Sequence, residues 1–368
     1  MVFSLPQTKT HSSLFTWHKP GDTLLEYVFN PDKERLLEMT SNNNFELYEQ
    51  LEGLDNLPPI RNVANRHMRK QLTHKTRPTQ PDHLAALAEQ EHELSFSYQA
   101  SKHEKAWLIS SLKDFYQQHW FDDILQLIKG GGKEASVYQC LGNQTTGQSY
   151  LAAKVYRPRK FRQLRNDALY REGRLHLDDQ GHEIHDDGAL HAIRQKTNFG
   201  RQLMHTSWIE HEFQTLTLLH RAGADVPTPF ASGNNAILMA YIGWDDLPAP
   251  TLNSVNLTVK EAQAIFARVI DNVEIMLANQ RVHGDLSAYN ILYDEGEICL
   301  IDFPQAIDPE VNRNAYAIFQ RDIQRLCEYF QSRGLTTHPR QLAEDLWQKH
   351  GYPLSAPVDP RLMADDMD

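Results

Sequence analysis

Cysteine is scarce. Only Cys140, Cys299 and Cys327 occur in 368 residues, far apart and odd in number. No CxxC pair exists, which removes both a zinc-ribbon spacing and a disulfide framework. Long apolar runs are missing too. None reaches the roughly 20 residues that cross a bilayer. The segment MVFSLPQTKTHSSLF lacks a basic stretch leading into an apolar core, so no signal peptide is expected. These absences lead to the expectation of a cytoplasmic protein with no membrane partner. Positive charge is also short: 37 Lys and Arg against 48 Asp and Glu give a formal net charge of -11. An acidic whole argues against nucleic acid as the main partner. No HExxH and no internal repeat occurs.

What remains is an ordinary globular composition, 40% hydrophobic and 10% aromatic, able to form a core. The length allows two domains, or one domain with a long extension. Residues 1–100 differ from the rest. They carry polar and proline-containing stretches such as SNNN at 41–44 and NLPP at 56–59. They are taken as an N-terminal extension, partly helical because DHLAALAEQEHE, ending at Glu93, has a helical pattern. The basic segment NRHMRKQLTHKTRP at 65–78 is a candidate contact for ribosomal or other RNA, although such a run is more often a solvated face.

The domain proper is taken as 101–350, with 351–368 as a tail. Apolar residues at helical spacing predict a helix from Lys102 to His119. Strands are expected over Ile124–Ile128, Ser136–Leu141 and Tyr150–Tyr156, with turns at the glycines 130–132 and at NQTTG. Residues 157–205 are polar and are expected to be a flexible, exposed insertion. Their histidines, His176, His182, His185 and His191, lack metal-ligand spacing. A helix over Thr206–Ala222 and a strand over Ala236–Ile242 come next. The clearest helix is Thr258–Asn279, which opens on a Thr258/Glu261 capping box and carries one apolar stripe. Two short strands around Glu295-Gly296, then helices over Asn314–Arg333 and Gln341–His350, complete the pattern.

One constellation carries chemistry. Phosphoryl transfer asks a protein for positioning and charge neutralisation rather than covalent partners. HGDLSAYN places Asn290 five residues after Asp285, the Asp-to-Asn spacing of a kinase catalytic loop. Asp302 follows a strand, where a metal-binding Asp belongs. Asn and Asp oxygens suit Mg²⁺, a hard ion. Lys154 sits mid-strand in AAKVY, and an inward-pointing lysine needs an anionic partner. ATP phosphates and a helix carboxylate would serve. Glu212 is the candidate carboxylate and Glu210 its rival. The Gly130–Lys133 run joins two strands, and its amides could cover phosphates. It is neither a Walker A loop, because Glu134 follows Lys133, nor G-x-G-x-x-G, because Ala135 fills the third glycine's place.

These segments together resemble the RIO family of atypical serine protein kinases. The resemblance is carried by GGKEASVY at 131–138, AAKVYR at 152–157, WIEHEF at 208–213, ILMAYIGWDDLPAP at 237–250, HGDLSAYNIL at 283–292, IDFPQAIDP at 301–309 and FQRDIQRLCEYF at 319–330. It implies an α+β, bilobal protein-kinase-like fold with a β-rich N-lobe and a helical C-lobe, trimmed of the A-P-E segment. It implies ATP and Mg²⁺ as cofactors, with a protein serine or threonine, or the chain itself, as acceptor. By this resemblance Lys154 would contact the α/β phosphates and pair with Glu212. Gly131, Gly132, Lys133, Glu134, Ser136 and Val137 would cover the phosphates. Met239 would lie behind the adenine, with Ala240, Tyr241 and Ile242 as hinge. Asp285 would be catalytic, and Asn290 and Asp302 would hold the metal. Family ATPases pass through an aspartyl-phosphate, which would fall on Asp302. Two alternatives stay open: a small-molecule phosphotransferase of the aminoglycoside or choline kinase type, and an ATP-gated ribosome assembly factor. GGKEASVY and DDLPAP speak against the first.

Overall fold

The computed structural model describes residues 94–130, 135–157, 167–233 and 235–354. The first lobe is built on a five-stranded antiparallel sheet. Its strands are β1 (Asp123–Lys129), β2 (Ala135–Leu141), β3 (Tyr150–Tyr156), β4 (Pro229–Ser232) and β5 (Ala236–Ala240), in the order β1-β2-β3-β5-β4. Helix α1 (Lys102–Gln117) lies against it. Its start is fixed locally. Ser101 accepts from the Glu104 amide and Glu104 accepts from the Ser101 amide, so two otherwise orphaned donors are satisfied. Leu108, Leu112 and Phe115 then pack on Tyr138, Leu151, Ala153 and Val155.

β3 is the central strand and is buried along almost its whole length. Because side chains alternate across a strand, Leu151, Ala153 and Val155 face α1. Ala152 and Tyr156 face the other way, into a cluster with Trp208, Ile209, Ile237 and Met239. Lys154 falls on this second face.

Between β3 and β4 come α2 (Asp167–Arg171), α3 (Asp187–Arg194) and α4 (Asn198–Arg221). Many described residues of the 157–205 insertion are exposed, as expected, but the segment also forms helices, which were not expected. Most of its described part is folded, and α4 begins at Asn198, eight residues before Thr206. Asp186 and Thr197 cap α3 and α4 through bonds from the Ala189 amide (2.7 Å) and the Gly200 amide (3.0 Å). The two helices cross so closely that a Cβ on Gly200 would lie 2.0 Å from the Ala192 carbonyl oxygen. Leu169, Tyr170, Leu177, Ala189 and Ile193 are buried.

β5 stops at Ala240, two residues earlier than expected, and a small hairpin of β6 (Gly243–Trp244) and β7 (Leu247–Pro248) follows. The second lobe is helical. Helix α5 (Val259–Ala278) opens on the expected Thr258/Glu261 capping box and buries Ala262, Ile265, Val269, Val273, Met276 and Leu277. This stripe joins Ile318, Ile323, Leu326 and Phe330 of α6 (Ala315–Ser332) and Leu346 and Trp347 of α7 (Pro339–Lys349) in one core. The hairpin β8 (Ile291–Asp294) and β9 (Glu297–Leu300) turns at Glu295 and Gly296, both with positive φ, as a two-residue hairpin turn demands. The architecture is therefore α+β, with a sheet lobe and a helical lobe. No helix among the described residues is long and apolar enough to cross a membrane.

Candidate active site

Lys154 stands opposite Val137 of β2 and Ile237 of β5, on the sheet face turned to α4. Its ammonium meets Glu212 Oε1 and Asp302 Oδ1, each at 2.5 Å. Glu212 is almost fully buried and accepts three hydrogen bonds. Oε2 accepts from the Tyr156 hydroxyl (2.5 Å), and Oε1 also accepts from the Phe303 amide (3.3 Å). One carboxylate thus ties β3, α4 and the segment after β9 together. Glu210, two residues away on the helix, turns aside and accepts from Ser232 Oγ at 2.8 Å.

Burial works against the charge on Lys154, but Asp302 and Glu212 outweigh it and hold the amine charged, above the usual lysine range. Burial likewise opposes the Asp302 charge, and Lys154 outweighs it, holding that carboxyl below the usual range. Asp302 adopts φ +74°, a left-handed backbone that costs a non-glycine residue roughly 1 kcal/mol or more. The Lys154 bond and the Phe303–Glu212 bond on the next residue fix that geometry.

The loop before β8 carries the other charged centre. Gly284 has φ +83°, and a Cβ there would lie 2.4 Å from the Gln305 carbonyl oxygen, so glycine is required. His283 is buried; its ring lies 4.5 Å from that of Phe303, and Nε2 contacts the Ile301 carbonyl oxygen. Its Nδ1 accepts from the Asp285 amide at 3.3 Å, so it braces the loop as well as packing in it. Asn290 Nδ2 donates to the Asp285 backbone oxygen (2.8 Å) and to Asp285 Oδ2 (3.2 Å), which leaves its amide oxygen free of that loop. The Ile301 amide donates to the Asn290 carbonyl at 3.0 Å, fastening the loop one residue before Asp302.

Sequence reasoning missed the part played by α6. Asp322 accepts from the Gly284 amide (2.8 Å), Arg321 donates to the Gly284 carbonyl (2.5 Å), and Arg325 donates to Asp285 Oδ1 (3.0 Å). Arg321 also reaches the Tyr170 hydroxyl at 2.7 Å, which links the insertion to this loop. Burial raises the Asp322 carboxyl despite Arg321 beside it. Tyr156, the partner of Glu212, was missed as well. Only the helical spacing of residues 321, 322 and 325 could have signalled a shared face.

The other candidates divide. Val137, Ala152, Ile237 and Met239 line the Lys154 face of the sheet. Ser136 is in register with Val155, so its buried side chain lies on the opposite face, away from Lys154. In the hinge, the Ala240 amide donates to Thr228 and the Ile242 carbonyl accepts from Ala249. Tyr241 packs edge-on against Tyr150. Gly131, Gly132, Lys133 and Glu134, together with the basic 65–78 segment and the 81–93 helix, lie outside the described residues.

Comparison with known proteins points to one family. A family model described as the RIO domain matches residues 136–342, more than half of the chain. The "RIO-type serine/threonine-protein kinase Rio1" of Thermoplasma acidophilum is 34% identical over 142 residues, covering 39% of this chain and 73% of that protein. The protein of the same name from Haloferax volcanii is 31% identical over 205 residues, covering 55% of this chain and 62% of that one. The mouse "Serine/threonine-protein kinase RIO3" is 33% identical over 131 residues, which cover 35% of this chain and only 25% of the relative.

Proposed function

The chain belongs to the RIO family, and on that premise we propose that it is an ATP-dependent serine/threonine protein kinase of the RIO type. The observation that carries the reading is the convergence on Lys154 of carboxylates from α4 and from the segment after β9, beside the Asp285–Asn290 loop. Structural ion pairs at such burial are costly to desolvate and often stabilise little. Perturbed, buried charges gathered between two lobes point instead to a functional site.

The donor set fits ATP and Mg²⁺. Asn290 and Asp302 offer an amide oxygen and a carboxylate, hard donors of the kind Mg²⁺ takes, and Lys154 is a charged group able to meet phosphate oxygens. Bound ATP with its metal supplies the γ-phosphoryl group and neutralises its charge. The protein does the rest. Lys154 would meet the α/β phosphates, and Glu212, steadied by Tyr156, holds Lys154. Val137, on the Lys154 face of the sheet, would lie against the phosphates. Ser136 contributes through its backbone alone. Met239 would back the adenine, and the Ala240 carbonyl and Ile242 amide would be available to its edge, since the Ala240 amide and the Ile242 carbonyl are already bonded. Asp285 orients the acceptor hydroxyl and takes its proton. The acceptor is a protein hydroxyl or the chain itself. The three cysteines are free and buried, in keeping with a cytoplasmic setting.

The test is a screen with γ-labelled ATP and Mg²⁺, wild type beside Asp302→Asn. Label on a protein acceptor supports a kinase. Label retained on wild type and lost in Asp302→Asn supports turnover through Asp302. Label moved to small alcohols or sugars would overturn the proposal in favour of a small-molecule phosphotransferase.

A further inference from the structure

We infer that Arg325 is a positioning residue that aims the Asp285 carboxylate. This rests on the reading of Asp285 as the group that receives the acceptor's proton.

The two oxygens of Asp285 are held by different donors. Asn290 Nδ2 reaches Oδ2 at 3.2 Å, and Arg325 Nη1 reaches Oδ1 at 3.0 Å. Asn290 belongs to the same loop and moves with it. Arg325 comes from α6 and ties the carboxylate to the rigid core of the helical lobe. The same helix face already fixes the preceding residue, because Arg321 and Asp322 hold the carbonyl and the amide of Gly284. Residues 321, 322 and 325 are neighbours on one face of a helix. They form a clamp in which two members set the backbone and the third sets the side chain.

The clamp is graded by burial. The Arg321 and Asp322 side chains are 9% and 2% exposed, whereas Arg325 and Asp285 are 32% and 42% exposed. A half-exposed ion pair contributes only about 0–1 kcal/mol to stability, so holding the fold together is a poor explanation for it. Orientation is a better one. The terminal torsion of an aspartate is broad, and a single donor in the loop leaves its carboxylate free to swing. Misplacing a reacting group by about 1 Å can cost on the order of 10²-fold in rate. One guanidinium nitrogen is spent on Asp285, so the carboxylate keeps lone pairs for a hydroxyl or a water.

The test uses the full chain with γ-labelled ATP and Mg²⁺, reading phosphate release and self-labelling. Arg325→Gln should lower kcat by about ten- to a hundredfold and leave KM for ATP within about twofold. Arg325→Lys, which keeps a donor and a charge, should recover part of that loss. Thermal melts of both variants should stay within a few degrees of wild type. Wild-type kcat in Arg325→Gln would overturn the inference. So would a rise in KM that accounts for the whole defect, or a lysine variant no better than the glutamine one. If wild type turns over and Asp285→Ala does not while Arg325→Gln is unimpaired, only the role of Arg325 falls. If wild type itself moves no phosphate, the proposed function falls with it.

Discussion

The two carboxylates at the heart of the site, Asp302 and Asp285, differ in the burial of their partners. Asp302, itself 32% exposed, shares Lys154 with Glu212; those two side chains are 8% and 1% exposed, and Tyr156 and the Phe303 amide complete the cluster. Asp285 is 42% exposed, and its partner Arg325 stands 32% exposed at the rim. The first centre is closed, and each member depends on the others. The second is open on one side, as a group must be if a hydroxyl is to reach it. On the proposed function, the difference separates holding a nucleotide from acting on an acceptor. Lys154 and Glu212 are fixed by burial, whereas Asp285 and Arg325 stay within reach of solvent.

That contrast can be broken first at Glu212. Glu212→Ala should destabilise the chain by about 3–5 kcal/mol, because it strips one partner from a buried ammonium and removes the carboxylate that accepts from the Tyr156 hydroxyl. Chemical denaturation measures this, and a loss below about 1 kcal/mol would mean the cluster is not closed. Tyr156→Phe sharpens the same end. It keeps the ring packed 5.0 Å from Trp208 and removes one hydrogen bond to a charged group. The expected cost is about 1–3 kcal/mol, with weaker ATP affinity by titration. At the open end, Asp285→Ala should change stability by about 1 kcal/mol or less. A larger loss would erase the asymmetry.

The smallest effect concerns the insertion that braces the closed end. His211 on α4 contacts the Leu175 carbonyl oxygen at 2.7 Å, and burial, with Arg174 and Arg281 nearby, lowers its pKa to about 4. An unfolded histidine titrates near 6.5, so the unfolded chain binds the extra proton between those values. The contribution of neutral His211 is therefore complete above about pH 6.5 and declines as pH falls toward 4. His211→Gln should flatten that part of the stability–pH curve. An unchanged slope would place the titration elsewhere.

Much of the site was legible because its chemistry is local in sequence. The interval from Asp285 to Asn290, the strand before Asp302 and the inward lysine of AAKVY each follow from short-range spacing. The helix candidates Glu210 and Glu212 could not be separated that way. Residues two apart lie on different sides of a helix, and only the packing of α4 on β3 decides which one faces Lys154. The insertion was misread for a related reason. Helices of 5 and 8 residues are too short to display a period, and their few apolar positions sit among acids and histidines. Arg325 was invisible because its partner lies 40 residues earlier in the chain.

The most direct measurement sets ATP affinity beside turnover of γ-labelled ATP for wild type and Asp285→Ala. The account predicts affinity within about tenfold and turnover reduced to background, because binding belongs to the closed centre and chemistry to the open one. Turnover at the wild-type rate in Asp285→Ala would contradict it.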